Sequence, residues 1–121
     1  MIKAVFYKKN GGLSGFSLSG HAGWGESGSD VVCASVSSAA ELVCNTVTDF
    51  FNDEAEVSVL ENKLALKLKS GSENSRRLLE SFYAHLGLIS EEFPGCIRII
   101  IEREATNHDC LLYTSPSPRD A

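Results

Sequence analysis

The sequence predicts an α+β fold with the element order ββαββαβ, in which two helices pack on a largely antiparallel sheet. Three observations lead to this class. Apolar residues alternate along short segments, they recur at three- and four-residue steps along two longer segments, and turn-forming residues separate the segments. The length of 121 residues is sufficient for one domain of this kind, and we expect no second one.

The first two strands form a predicted hairpin. Strand-like patterns cover Met1–Lys8 and Leu13–Gly20, and the sequence KKNGG joins them. Asn10 and Gly11 are residue types that adopt the positive φ angles of a tight two-residue turn. We therefore expect the chain to reverse at these two residues.

The first helix is predicted over Val32–Phe51. With Ser29 or Asp30 as its N-cap, apolar residues spaced by three or four positions form one stripe that should face the sheet. This stripe consists of Val32, Val36, Ala39, Val43, Val47 and Phe50.

The remaining elements are a second hairpin, a second helix and a last strand. The hairpin turns at Glu61 and Asn62, between an alternating pair of valines and an alternating run of leucines. A helix over residues 72–90 has Ser72 as its N-cap, and a strand follows over residues 96–102. The helix stripe consists of Leu78, Leu79, Phe82, Tyr83, Leu86 and Ile89.

The composition and charge exclude several classes of protein. A net charge of -5 and a pI near 5.1 argue against a large nucleic-acid interface. The N-terminus lacks the features of a secretory signal, and we expect no apolar run of transmembrane length, so we expect a cytoplasmic protein with reduced cysteines. The cysteines contain no C-x-x-C spacing, which makes a zinc site a poor hypothesis. They are Cys33, Cys44, Cys96 and Cys110.

The last twelve residues, 110–121, are interpreted separately from the domain at residues 1–109. Their sequence, CLLYTSPSPRDA, shows neither helical nor strand periodicity and resembles translated sequencing-adapter read-through. The alternative is a disordered native tail. On either interpretation Cys110 is a poor candidate for a functional site.

A glycine-rich loop lies between the second strand and the first helix. Its residues 23–28 match G-x-G-x-x-G, the dinucleotide-binding pattern, but this pattern requires a βαβ unit and the predicted helix leads into a hairpin. Glu26 would also place a carboxylate beside a pyrophosphate. Nucleotide binding is therefore a weak interpretation of this loop.

Cys33 and His21 are the candidate catalytic residues. Cys33 falls in the predicted first turn of the helix, where unpaired backbone N–H groups and the helix dipole favour a thiolate. His21 ends the second strand twelve residues earlier, so the intervening loop can bring its imidazole back to the thiol. Ser37 lies one turn after Cys33 on the same helix face. Asp30 has two possible roles, as a helix cap or as the residue that orients His21.

The pattern of these residues resembles the signature of the bacterial ribosomal-processing cysteine proteases, the Prp family. The matching string is Gly20-His21-Ala22-Gly23 followed by Gly28-x-Asp30-x-Val32-Cys33-Ala34-x-x-Ser37. The resemblance covers residues 1–104, although its distinctive residues lie between Gly20 and Ser37. It implies that Cys33 is the nucleophile and His21 the general base, with supporting roles for Asp30 and Ser37.

The family's flexible substrate loop corresponds to residues 22–29. Trp24 in this loop either covers an apolar substrate side chain or packs the loop itself, and the glycines let the loop order over the substrate. The candidate loop residues are Gly20, Ala22, Gly23, Trp24, Gly25 and Gly28.

The resemblance also implies a function. It is that of a cytoplasmic endopeptidase, usually a homodimer, that removes a short N-terminal extension from a large-subunit ribosomal protein by cleaving after an aromatic residue. We expect no cofactor, no metal, no direct nucleic-acid partner and no membrane. The alternative is a non-catalytic ribosome-associated binding module that keeps the fold without using the thiol.

Overall fold

The predicted order of elements is confirmed by a computed structural model, which describes residues 1–20, 29–60, 63–70 and 72–104, with the backbone alone at positions 29, 30 and 70. The strands are β1 (Ile2–Lys9), β2 (Gly12–Ser19), β3 (Glu54–Leu60), β4 (Lys63–Ser70) and β5 (Ile97–Arg103). The helices are α1 (Ser29–Asn45), extended by a π-helical turn (Thr46–Phe50), and α2 (Glu73–Glu92). The α+β class is therefore as predicted.

The sheet has the strand order β3-β4-β2-β1-β5. Its neighbouring strands are antiparallel except for β1 and β5, which are parallel. The first hairpin turns as expected, with φ angles of 54° at Asn10 and 83° at Gly11. In the second hairpin Leu60 pairs with Lys63, and the predicted turn residues Glu61 and Asn62 lie outside the described residues.

Helix α1 begins three residues before its predicted start and ends in a wider turn. The backbone N–H of Phe51 donates to the carbonyl of Thr46 at 2.8 Å, the i to i+5 bond of a π-helix. A π turn rotates each residue by less than an α-helix does, and Phe50 is consequently turned out and is 78% exposed. The prediction that Phe50 faces the sheet is wrong for this reason. The predicted stripe also included Ala39, which is only half-buried, whereas the neighbouring Ala40 is fully buried.

The apolar character of α1 also corrects the expectation about membrane-spanning runs. Val31–Phe50 is long and apolar enough to cross a membrane by length and composition, with a mean hydropathy of 1.4. A core helix meets the same criterion, and here Val32, Val36 and Val43 are buried in one cluster with residues of β1 and β2. The burial of these residues shows that α1 is a core helix of the domain.

Helix α2 begins as the sequence predicts. Ser72 is its N-cap, with a side chain that accepts a hydrogen bond from the backbone N–H of Ser75. Phe82 of this helix meets Phe6 and Phe16 of the sheet at ring-centroid distances of 5.7 and 4.9 Å. Of the predicted stripe, the buried residues are Leu79, Phe82, Leu86 and Ile89. The two helices and the sheet thus share one core, and the predicted tail at residues 110–121 lies outside the described residues.

Candidate active site

A cleft of about 190 Å³ lies between α1 and the end of the β3–β4 hairpin. Cys33 lines it and is half-buried. Strands β1 and β2 contribute Ile2 and Leu18, and Gly20 lines the cleft directly after β2. Helix α1 contributes Cys33, Val36, Ser37 and Glu41. The hairpin contributes Val59, Leu60, Lys63 and Leu64. The candidate nucleophile therefore faces a mostly apolar space that is large enough for a side chain.

Three side chains of α1 form a line along this cleft. Cys33, Ser37 and Glu41 are separated by four residues each, and residues at that spacing lie on the same face of an α-helix. At 1.5 Å per residue this line is about 12 Å long. The predicted position of Ser37, one turn from Cys33 on the same face, agrees with this arrangement.

Gly20 joins β2 to the predicted catalytic histidine. Its φ angle is 72°, in the left-handed region that favours glycine, and a Cβ at this position would lie 3.0 Å from the carbonyl oxygen of Met1. Gly20 also lines the cleft beside Cys33. A side chain at position 20 would thus disturb the edge of the cleft from which residue 21 follows.

The start of α1 determines which backbone groups are near Cys33. The helix begins at Ser29, so Ser29 and Asp30 are inside its first turn rather than at the preceding cap position, and Cys33 is the fifth helical residue. In such a helix the N–H of Cys33 bonds to the carbonyl of Ser29, which leaves the N–H groups of the first turn as the unpaired donors. Because Cα–Cβ bonds tilt toward the helix N-terminus, the Cys33 side chain leans toward that turn.

Most of the predicted loop and the predicted base lie outside the described residues. These are His21, Ala22, Gly23, Trp24, Gly25 and Gly28. Asp30 is placed by its backbone as the second residue of α1. The structure thus brings Cys33, Ser37 and Gly20 to one cleft, and the roles of His21 and Asp30 remain predictions.

The other described cysteines differ from Cys33 in their surroundings. Cys44 is buried on the core side of α1, and its pKa is raised to about 11 by burial and by the negative charge of Glu41. Cys96 is half-buried just before β5, where it packs against the core. Within the described ranges no three potential metal ligands come together. Cys33 is thus the described cysteine that lines the cleft.

Two features of the cleft were not predicted. Glu41 follows Cys33 by eight residues, and its helical spacing could have identified it from the sequence. The wall formed by Val59, Leu60 and Lys63 depends on how the second hairpin packs beside α1. No local pattern in the sequence specifies that packing.

Solved structures similar to this chain share its fold. SMU.848 from Streptococcus mutans is 26% identical, with a TM-score of 0.77, over 86% of this chain and 99% of that one. The essential ribosomal processing protease Prp from S. aureus, in complex with a substrate peptide, is 20% identical with a TM-score of 0.77, over 84% of this chain and all of that one. The same protease with a covalently linked product peptide is 21% identical with a TM-score of 0.75. No curated protein matches the sequence significantly.

The family comparison identifies the class of protein. A model of a cysteine protease family matches residues 1–98, which include the cleft and its thiol. The family is that of the cysteine protease Prp, and this chain belongs to it. The resemblance seen in the sequence is therefore confirmed.

Proposed function

We propose that this protein is an endopeptidase that removes the N-terminal extension of a large-subunit ribosomal protein, with Cys33 as the nucleophile and His21 as the general base. The observation that carries the proposal is that Cys33 and Gly20 line the same cleft. His21 is bonded directly to Gly20. A base at position 21 therefore starts from the edge of the cleft that contains the thiol.

The proposed reaction has two steps. His21 takes the proton of the Cys33 thiol, and the thiolate sulfur attacks the carbonyl carbon of the scissile peptide bond. The C–N bond then breaks, the leaving amine receives the proton from His21, and a thioester joins the substrate to Cys33. In the second step His21 takes a proton from water, whose oxygen attacks the thioester carbonyl. The C–S bond breaks to release the product acid, and His21 returns its proton to the sulfur to restore the Cys33 thiol.

The start of α1 supports both the thiolate and the oxyanion of this reaction. A helix dipole contributes about 0.3–1 kcal/mol to a nearby negative charge, which is less than the roughly 1.4 kcal/mol of a tenfold effect, so a base is still required. The unpaired N–H groups of the first turn are the donors that would bind the oxyanion. The backbone of Asp30 belongs to this turn, whereas the N–H of Cys33 itself is used within the helix.

The shape and chemistry of the cleft support cleavage beside an aromatic residue. Ile2, Leu18, Val36 and Leu64 give it an apolar lining, which favours a large apolar substrate side chain near the thiol. The S. aureus protein of the same fold binds a substrate peptide as a ribosomal processing protease. We infer the same class of substrate for this chain.

The decisive experiment is incubation with the extended ribosomal protein from the same organism, followed by mass spectrometry of the products. The wild-type protein should release the N-terminal extension, and Cys33→Ala should release none. Cys96→Ser is the matched control, because it replaces a described thiol outside the cleft and should retain cleavage. Cleavage by Cys33→Ala would contradict the proposed mechanism.

The remaining parts of the proposal concern the setting of the enzyme. We infer a cytoplasmic homodimer that needs no cofactor and contacts neither membrane nor nucleic acid directly. The alternative function is a ribosome-associated binding module, which would not use the thiol. A thiol-directed alkylating agent separates the two, because a binding module should show no selective reaction at Cys33.

A further inference from the structure

Glu41 is a charged residue of the cleft to which the proposed chemistry gives no role. It follows Cys33 by eight residues on α1, and both side chains line the same space. Eight residues of an α-helix span about 12 Å. An extended peptide advances about 3.3 Å per residue, so Glu41 lies three or four substrate residues from the thiol if the peptide follows the helix.

The carboxylate of Glu41 is available to a ligand. Glu41 is exposed. The ion pair found within the described parts of the chain joins Lys69 and Glu56 at 3.8 Å and does not involve Glu41. The negative charge of Glu41 contributes to the raised pKa of the buried Cys44 thiol. A cation entering the cleft would therefore not have to displace a partner of Glu41 among the described residues.

The second charged residue of the cleft is Lys63. Lys63 pairs with Ser19 in the register of β4 and β2, and Ser19 immediately precedes Gly20. Lys63 is thus at the end of the cleft where β2 leads into His21, whereas Glu41 is two helical turns beyond Cys33. Val59 and Leu60 of the same hairpin also line the cleft and are 71% and 63% exposed, which leaves an apolar wall uncovered.

We propose, resting on the proposed protease function, that Glu41 is a specificity-determining residue that selects substrates with a lysine or arginine three or four residues from the scissile bond. The substrate segment between the aromatic residue and the lysine or arginine then packs against the apolar wall of Val59 and Leu60. An ion pair at an exposed site is weak, so we expect a preference of about fivefold in kcat/KM, decreasing as salt increases.

The test uses short capped peptides with a central Phe-Phe pair. A single lysine is moved through the other positions, and each peptide is compared with its uncharged norleucine counterpart. Wild type should prefer lysine at a position three or four residues from the bond. Glu41→Gln should abolish this preference, and Glu41→Lys should reverse it, so that the norleucine peptide is cleaved faster than the lysine peptide. Glu80→Gln, a matched change at an exposed carboxylate on α2, should leave it unchanged.

The outcomes separate this inference from the protease function. If wild type cleaves the peptides without a lysine preference, or if the preference survives in Glu41→Gln, the role of Glu41 is overturned and the protease function stands. If wild type cleaves none of them, the protease function loses its support, and the role of Glu41 is measured by peptide binding to Cys33→Ala. Lysine peptides should then bind more tightly than norleucine peptides, and Cys33→Ala/Glu41→Gln should lose that difference. Equal binding would overturn the inference.

Discussion

The Ser72 hydroxyl donates a hydrogen bond of 2.6 Å to Oδ2 of Asp53, which joins the segment before β3 to the start of α2. The same carboxylate oxygen accepts the backbone N–H of Ser72 at 3.1 Å and the hydroxyl of Ser75. A negative charge with three donors is thereby held at a helix N-terminus. These hydrogen bonds hold the pKa of Asp53 below its ordinary value of 3.8.

Asp53 should make stability depend on pH in the acid range. Its folded pKa is lower than its unfolded pKa, so its contribution is fully present above the unfolded pKa and is lost as pH falls through the folded one. Asp53→Asn should lower the Tm at neutral pH, and the difference from wild type should shrink as the carboxyl of the wild type protonates. Thermal melts at several pH values measure this, with Glu80→Gln as control. A difference in Tm that does not change with pH would show that the charge is not involved.

Gly20→Ala should impair both folding and cleavage. The left-handed backbone costs an L-residue roughly 1–2 kcal/mol, and the new Cβ would press against the carbonyl of Met1. Gly87→Ala is the matched control, because Gly87 lies within α2 and a Cβ there meets nothing within 4 Å. We expect Gly87→Ala to stabilise the protein by about 0.5–1 kcal/mol. Denaturant titration measures the stability of both variants, and the cleavage assay measures their activity. A Gly20→Ala variant with unchanged stability and cleavage would refute the requirement for glycine.

Limiting iodoacetamide at neutral pH should modify Cys33 before Cys44 and Cys96. Cys44 is 6% exposed and has a pKa of about 11, so it is both inaccessible and protonated. Cys96 packs against the core, whereas Cys33 lines the cleft. Peptide mapping over time gives the order of modification. Earlier labelling of Cys44 or Cys96 would mean that the nucleophile is misassigned.

Asp30→Ser should separate the two possible roles of Asp30. The structure places Asp30 in the first turn of α1, where a carboxylate stabilises the helix by about 0.3–1 kcal/mol through the helix dipole, so Asp30→Ser and Asp30→Ala should both lower the Tm only slightly. Serine has no negative charge to favour the His21 imidazolium, and cleavage should slow at least about tenfold, or roughly 1.4 kcal/mol of barrier. Melting and cleavage are measured on the same samples. A well-folded Asp30→Ser that cleaves at the wild-type rate would leave Asp30 with a structural role alone.

Removal of residues 110–121 should change neither the Tm nor the cleavage rate. The last described strand ends at Arg103, and the tail has no apolar pattern with which to cover a face. Truncation before Cys110, compared with the full chain in melting and cleavage assays, tests this. A fall of many degrees in Tm would show that the tail packs on the domain.

Local signals predicted well those elements that have a clear turn or cap in the sequence. Asn10 and Gly11 determine the first hairpin, and Ser72 determines the start of α2. The π turn that exposes Phe50 was not predicted, because the spacing of apolar residues in the sequence does not show where an α-helix changes to a π-helix. Helix geometry predicts that Cys33 and Ser37 lie on the same side of α1 and therefore in the same cleft. Val59 and Lys63 line the cleft because of tertiary packing, which the sequence does not show locally.

The parallel pairing of β1 with β5 has a consequence for biosynthesis. Ile2 pairs with Ile97, so one edge of the first strand remains without its partner until nearly the whole domain has been made. Pairings so distant in sequence form slowly, because a long loop must close first. Ile2 also lines the cleft. We therefore expect the nascent chain to complete the β1 side of its cleft only after β5 has left the ribosome.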